Sequence, residues 1–361
     1  MKTLGKTLIG LGVGVALAPV VTVVGALAKE VALAPHPRQA PHEPLLDEPT
    51  APAELIRVVA DDGSPLNVMA YGPADGEVIV LSHGWTCQGS YWYPQINAFA
   101  DRYRVVVYDQ RGHGLSPVGS SDLTQDRLAA DLAAVLEAVV PEGKRALIGG
   151  HSMGGMSILS WARNYPEAVE KYARGVLLAS TGAINILHEL AIVPTDLPSF
   201  ALPLRRAVAS SVAYTPVPVL HSPLSRRLGQ YLALDDHATA EAVRFCEKMM
   251  FDTPTRVRSR WARLFGRLDV VAGLDALTVP TTIVVGDHDR LTPRLHADMM
   301  AERLRAHDVL AEYEVLTDTG HMSTVESAHA VNESIARLLA ITEDAAVVGA
   351  DSLGEAVEHR A

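Results

Sequence analysis

The sequence predicts an α/β fold, a mostly parallel sheet covered by helices on both faces and interrupted by a helical insertion. Three observations carry this expectation. From about Val78 onward, short apolar runs alternate with longer amphipathic ones, the rhythm of a sheet built from strand-to-helix crossovers. The runs Val78-Ile79-Val80-Leu81 and Val105-Val106-Val107 are continuously apolar, as strands buried on both faces must be. Finally, Gly150-His151-Ser152-Met153-Gly154 falls where one such strand gives way to a helix, so small residues sit where the turn is tightest.

The elements follow in order. A β-hairpin opens the folded part near Glu54, with Leu55 to Val59 and Leu66 to Tyr71 flanking the turn cluster Asp61-Asp62-Gly63-Ser64-Pro65. Strands are expected at Val78 to Ser82, Arg104 to Tyr108, Arg145 to Gly149 and Val176 to Ala179, with helices near Tyr93 to Asp101 and Asp122 to Val140. Between Thr181 and Asp275 the rhythm fails, and six prolines from Pro194 to Pro223 punctuate short helical stretches, as expected of an inserted cap. It resumes with a strand at Thr281 to Val285, a helix at Pro293 to Ala306, a strand at Ala311 to Leu316 and a last helix near Val325 to Ala340. The core is thus expected over 54–180 and 276–341, the cap over 181–275, and a small, acidic, flexible tail over 342–361.

Ahead of the hairpin, no charged residue occurs from Thr7 to Ala28, and Lys2 and Lys6 precede the run. As a helix it would span about 33 Å, enough for a hydrocarbon core of about 30 Å. The same features describe a secretory signal peptide, with Ala26-Leu27-Ala28 as its A-x-A cleavage site. Residues 1–34 are therefore expected to be a signal peptide or a transmembrane anchor. Either leaves the body outside the cytoplasm, secreted or membrane-anchored. Residues 35–53, with Pro35, Pro37, Pro41, Pro44, Pro49 and Pro52, suit an extended linker.

Composition excludes several functions. At 361 residues, 48% apolar and 20% charged, the chain can build a large core; a formal net charge of −11 argues against nucleic acid as a partner, which demands a concentrated basic footprint. Cys87 and Cys246 are too few for a disulfide framework and form no metal-ligand spacing. No metal and no cofactor is implied.

The chemistry is expected at Ser152, whose turn presents Oγ at the top of the sheet. A serine hydroxyl needs a base within hydrogen-bond reach and an acid to orient that base. The loop after the Thr281 to Val285 strand supplies Asp287 and Asp289, and the loop after the next strand supplies His321. Open α/β sheets build their sites at such strand ends.

Gly-His-Ser-Met-Gly, Gly286-Asp287-His288-Asp289, Gly320-His321 and Asp109-Gln110-Arg111-Gly112-His113-Gly114-Leu115-Ser116 together resemble the α/β-hydrolase family. The similarity runs over about 55–340, to the capped lipase-, esterase- or haloperoxidase-like branch. It implies an α/β-hydrolase fold and the catalytic triad Ser152, Asp289 and His321, with Asp287 as the fallback acid. It also implies an oxyanion hole made by the backbone amides of Trp85, in His83-Gly84-Trp85, and Met153. The Asp109 to Ser116 turn would shape a loop; His83 and His151 would be structural.

The cap carries a slight excess of basic residues, and Arg256, Arg260, Arg263 and Arg267 recur at helical spacing opposite Val257, Trp261, Leu264 and Leu268. A solvated face is the plain reading; a membrane surface with anionic lipid is the sharper one. Hydrolysis of a small-molecule ester or lipid substrate is the leading expectation. Carbon–carbon bond hydrolysis or cofactor-free perhydrolysis would use the same triad, and a non-catalytic receptor could keep the same fold. Epoxide hydrolysis and dehalogenation would need an aspartate where Ser152 stands.

Overall fold

The computed structural model describes residues 22–192 and 223–358. The expected hairpin is β1 (Glu54–Val59) and β2 (Pro65–Tyr71), paired antiparallel, with Gly63 at φ +80° in its turn. β3 (Val78–Ser82), β4 (Arg104–Tyr108), β5 (Ala146–His151), β6 (Ala173–Ala179), β7 (Thr281–Gly286) and β8 (Leu310–Leu316) complete an eight-stranded sheet of order β1-β2-β4-β3-β5-β6-β7-β8. Every neighbouring pair from β4 onward along that order is parallel.

Continuous apolarity has the expected cause. Val78 and Val80 face one core, while Ile79 and Leu81 face the other. The first core is closed by α3 (Gln125–Val139), α4 (Met153–Asn164) and α10 (Arg294–Ala306); the second by α2 (Tyr93–Phe99) and α12 (Ala328–Glu358). α3 starts at Thr124, whose side chain accepts from the Arg127 amide, an N-cap that offsets one orphan donor of the first turn. α5 (Pro166–Tyr172) leads into β6, and α11 (Ser323–Glu326) precedes α12.

Between β6 and β7 the described residues carry α6 (Pro223–Ala233), α7 (Ala240–Asp252), α8 (Thr255–Phe265) and α9 (Val271–Ala276). The helix expected to continue to Val270 ends at its C-cap Gly266, so Arg267 lies beyond it. Arg256, Arg263 and Arg267 are exposed and Trp261 is fully buried. The cap residues 193–222 lie outside the described part.

Two terminal segments differ from the sequence expectation. α12 continues through the region expected to be a flexible tail, reaching Glu358, because alanine-rich sequence favours continued helix over a stop. Residues 35–53, expected to be an extended linker, run along the body: Arg38 exchanges backbone hydrogen bonds with Ala238 and Ala240, Leu46 is buried, and Asn97 donates to the Leu45 and Asp47 carbonyls. Peptide groups that find such partners have no need of solvent. Most of the apolar run lies in residues 1–21, outside the described part. Its end, in helix α1 (residues 22–33), buries Leu27 and Val31 against Tyr231 of α6. Among the described residues no helix is long and apolar enough to cross a membrane.

Candidate active site

Ser152 stands between β5 and α4 at φ +52° and ψ −116°, a conformation costly for a residue with a Cβ and held only by its surroundings. Those surroundings are explicit. Its amide donates to the Ala179 carbonyl, and its own carbonyl accepts from Thr181 Oγ1 at 2.7 Å. A Cβ on Gly154 would lie 1.9 Å from the Ser82 carbonyl oxygen, and one on Gly150 would lie 2.5 Å from the Gly154 backbone. Glycine is required at both.

The structure brings Ser152, His321 and Asp289 together. His321 Nε2 is 2.9 Å from Ser152 Oγ, and His321 Nδ1 is 2.9 and 3.0 Å from the two Asp289 carboxylate oxygens. Asp289 is held by the Leu291 and Thr292 amides and by Thr292 Oγ1. Burial alone would push its carboxyl up; the charge and hydrogen bond of His321, with the Thr292 donors, outweigh burial and hold it below the usual carboxylate range. Asp287, the fallback, instead accepts from the Thr319 amide at 3.2 Å.

His151 was expected only to pack. Its Nε2 donates to the His321 carbonyl at 2.8 Å, its ring lies 4.6 Å from that of Tyr91, and its Nδ1 is buried without a hydrogen-bond partner. Burial, with the neighbouring His321, drives it down to about 3, so it stays neutral beside His321. The residue before Ser152 therefore pins the His321 peptide.

The loop expected to supply the first oxyanion donor abuts Ser152. A Cβ on Gly84 would sit 2.6 Å from His151 Nδ1 and 3.2 Å from Ser152 Cβ, so the chain leading into Trp85 meets the first turn of α4 at Ser152. Trp85 is half-buried, edge-on to Phe265 of α8 at 5.6 Å. Met153 opens α4, where amides have no partner within the helix.

The 109–116 turn does more than shape itself. The Gln110 amide donates to His83 Nε2 at 2.9 Å, the Gln110 side chain donates to the His83 carbonyl, and the Thr86 amide donates to His113 Nε2 at 3.2 Å. Burial lowers His83 to about 4 and His113 to about 3, leaving each ring a neutral acceptor. Thr86 sits at φ +61°, strain for a β-branched residue that this bracing sustains. No sequence motif signals contacts between such distant loops. Thr292 had a signal, a hydroxyl three residues after Asp289, which is side-chain turn spacing. Cys87 and Cys246 are free and buried, and among the described residues no cluster of His, Cys, Asp and Glu could hold a metal.

Comparison with known proteins identifies the family. The sequence profile of the alpha/beta hydrolase family matches residues 79–334. A non-heme chloroperoxidase of Burkholderia pyrrocinia is 27% identical over 71% of this chain and 90% of its own length. The 3-oxoadipate enol-lactonase 1 of Acinetobacter baylyi is 26% identical over 75% and 91%. The solved structure of a bacterial membrane phospholipase A is similar in fold, with a TM-score of 0.60 and 18% identity over 95% of this chain and 99% of that one. The chain belongs to the alpha/beta hydrolase family.

Proposed function

We propose that this chain hydrolyses carboxylic esters, lipid esters among them, through an acyl-enzyme on Ser152, as a carboxylesterase or lipase. The observation that carries the reading is the 2.9 Å approach of His321 Nε2 to Ser152 Oγ with Asp289 on the far side of the same ring. Ser152 Oγ attacks the ester carbonyl as its proton passes to His321 Nε2, and Asp289 orients the ring and stabilises the imidazolium. The Trp85 and Met153 amides receive the developing oxyanion, each worth about 3 kcal/mol in the transition state. His321 then gives its proton to the leaving alcohol, and a water activated by the same nitrogen releases the acid.

The relative named an enol-lactonase supports ester chemistry, since a lactone is a cyclic ester. The relative named a chloroperoxidase supports a second reading, in which hydrogen peroxide replaces water at the acyl-enzyme. The apolar run from Thr7 to Ala28 supports a body outside the cytoplasm, secreted or membrane-anchored, and the exposed Arg256, Arg263 and Arg267 support contact with an anionic lipid surface.

Fluorophosphonate labelling and a p-nitrophenyl ester chain-length series, beside Ser152→Ala, test the proposal. Labelling at Ser152 with a chain-length preference is the expected result. A folded chain that neither labels nor turns over esters would be read instead as a ligand receptor. Peracid formation from a short acid and hydrogen peroxide, faster than ester hydrolysis, would favour the second reading.

A further inference from the structure

The loops that carry His321 and Asp289 are both gripped by one short stretch of the cap, the last turn of α6 and the turn that follows it. The Ala233 carbonyl accepts from the amides of His321 and Met322 at 3.0 and 3.1 Å. Arg290, next to Asp289, donates to the Tyr231 and Leu234 carbonyls at 3.0 and 3.1 Å, and its guanidinium lies 4.6 Å from the centre of the Tyr231 ring. Asp235 lies between the two loops. Its carboxylate meets His288 Nδ1 of the acid loop at 2.5 Å, and its amide donates at 2.6 Å to Glu326, whose other oxygen accepts from Met322. The approach is close enough that a Cβ on Gly320 would lie 2.5 Å from the Asp235 nitrogen.

We propose that Asp235 is a positioning residue for the triad, its carboxylate tying down the Asp289 loop through His288 while its amide, through Glu326, ties the same cap turn to the His321 loop. This rests on the ester-hydrolase reading of Ser152. An Asp289-to-His321 contact spans two loops, and either loop moving by about 1 Å would cost about a hundredfold in rate. The two loops also touch directly: the Thr319 amide donates to Asp287, the His288 amide donates to the Thr319 carbonyl, and Thr292 Oγ1 lies 3.2 Å from His321 Nδ1. The cap turn adds a further point of fixation that neither loop supplies. Its anchor is the buried Asp235 carboxylate, 1% exposed, bridging His288 and His237.

The charges around this carboxylate set a pH signature. His288 and His237 face it directly; Glu326 faces its backbone; Asp287 lies 3.8 Å from His288, Asp318 lies 3.8 Å from His237, and Asp236 is paired with Arg290. The hydrogen bond to Asp235 raises His288 above its usual value of 6.5. Its contribution is therefore complete below that value and is lost as pH rises through the raised one. Burial pushes Glu326 up to about 8, and its ionised form accepts the Asp235 and Met322 amides more strongly. The loosening in alkali therefore belongs to His288.

The test uses the full chain, with turnover counted per fluorophosphonate-reactive serine. Asp235→Asn is expected to lower kcat by about ten- to a hundredfold with KM nearly unchanged, and to slow labelling in parallel. His288→Gln, a change at a half-exposed ring, is expected to lower kcat most in acid, with the deficit shrinking as pH rises through the raised value of His288. If Asp235→Asn does not fold, that pH comparison decides alone. Unchanged kcat per reactive serine, with only a lower unfolding midpoint, or a His288→Gln deficit that does not vary with pH, overturns the proposal and leaves Asp235 a cap-docking residue. A wild type that does not label overturns the ester-hydrolase reading itself, and this proposal with it.

Discussion

At the scale of single residues, the site is defined by how completely His321 is held: its amide by Ala233, its carbonyl by His151, and its two ring nitrogens by Asp289 and Ser152. His151→Phe keeps a ring against Tyr91 but removes the donor, leaving a buried carbonyl unpaired at a cost of about 1–3 kcal/mol. Denaturant unfolding should show that loss, and His151→Gln, which retains a donor, should recover part of it. Asp289 gives a pH prediction whose sign is fixed. Its folded value is depressed, so its contribution to stability is complete above the ordinary carboxylate value of about 3.9 and disappears as pH falls through the depressed one. Unfolding free energies measured down to pH 3 should therefore fall more steeply for the wild type than for Asp289→Asn. That variant should also lose about 10²- to 10⁴-fold in turnover at neutral pH, because an amide cannot hold the ring in the same tautomer.

At the scale of elements, the surroundings of Ser152 are built by one turn bracing another. Residues 109–116 hold the 83–86 loop at His83 and at Thr86, the second against a strained positive φ. His113→Leu keeps the buried volume apolar but removes the acceptor for the Thr86 amide, and the loop is then free to relax. Turnover should fall by about ten- to a hundredfold through displacement of the Trp85 amide, with the unfolding midpoint little changed; equal turnover in steady-state assays would show that the brace is dispensable. This is also where the sequence stops being informative. β3, β4 and β7 were legible because burial on both faces leaves an unbroken apolar run, and Ser152, Asp289 and His321 were legible because each follows a strand end in a short motif. The His113-to-Thr86 and Asp235-to-His288 contacts join segments whose spacing carries no periodic signal. Gly266 ended α8 earlier than its arginine spacing suggested, since amphipathic periodicity does not report a cap.

At the scale of the whole molecule, the segment ahead of β1 acts as a clasp on the cap. Leu27 and Val31 pack on Tyr231, Arg227 donates to the Ala32 and Ala34 carbonyls, Arg38 pairs with Ala238 and Ala240, and Glu241 accepts from His42 and from the Glu43 amide. All of these contacts lie on α6, on α7 or on the link between them, and α6 ends at the Ala233 carbonyl that meets His321. Burying Leu27, Val31 and Leu46 is worth about 1.5–3 kcal/mol each before the entropy of ordering the strap is subtracted, leaving a net effect of a few kcal/mol. A chain beginning at Glu54 should therefore unfold at a lower temperature than one beginning at Thr22. Amide exchange should rise first in α6 and α7, while β3 to β7 keep their protection. Because the loosened helix carries Ala233, turnover should fall in the same chain even well below its unfolding midpoint. If the two chains exchange and turn over alike, the segment rests on the cap without steadying it, and the triad owes its alignment to the core alone.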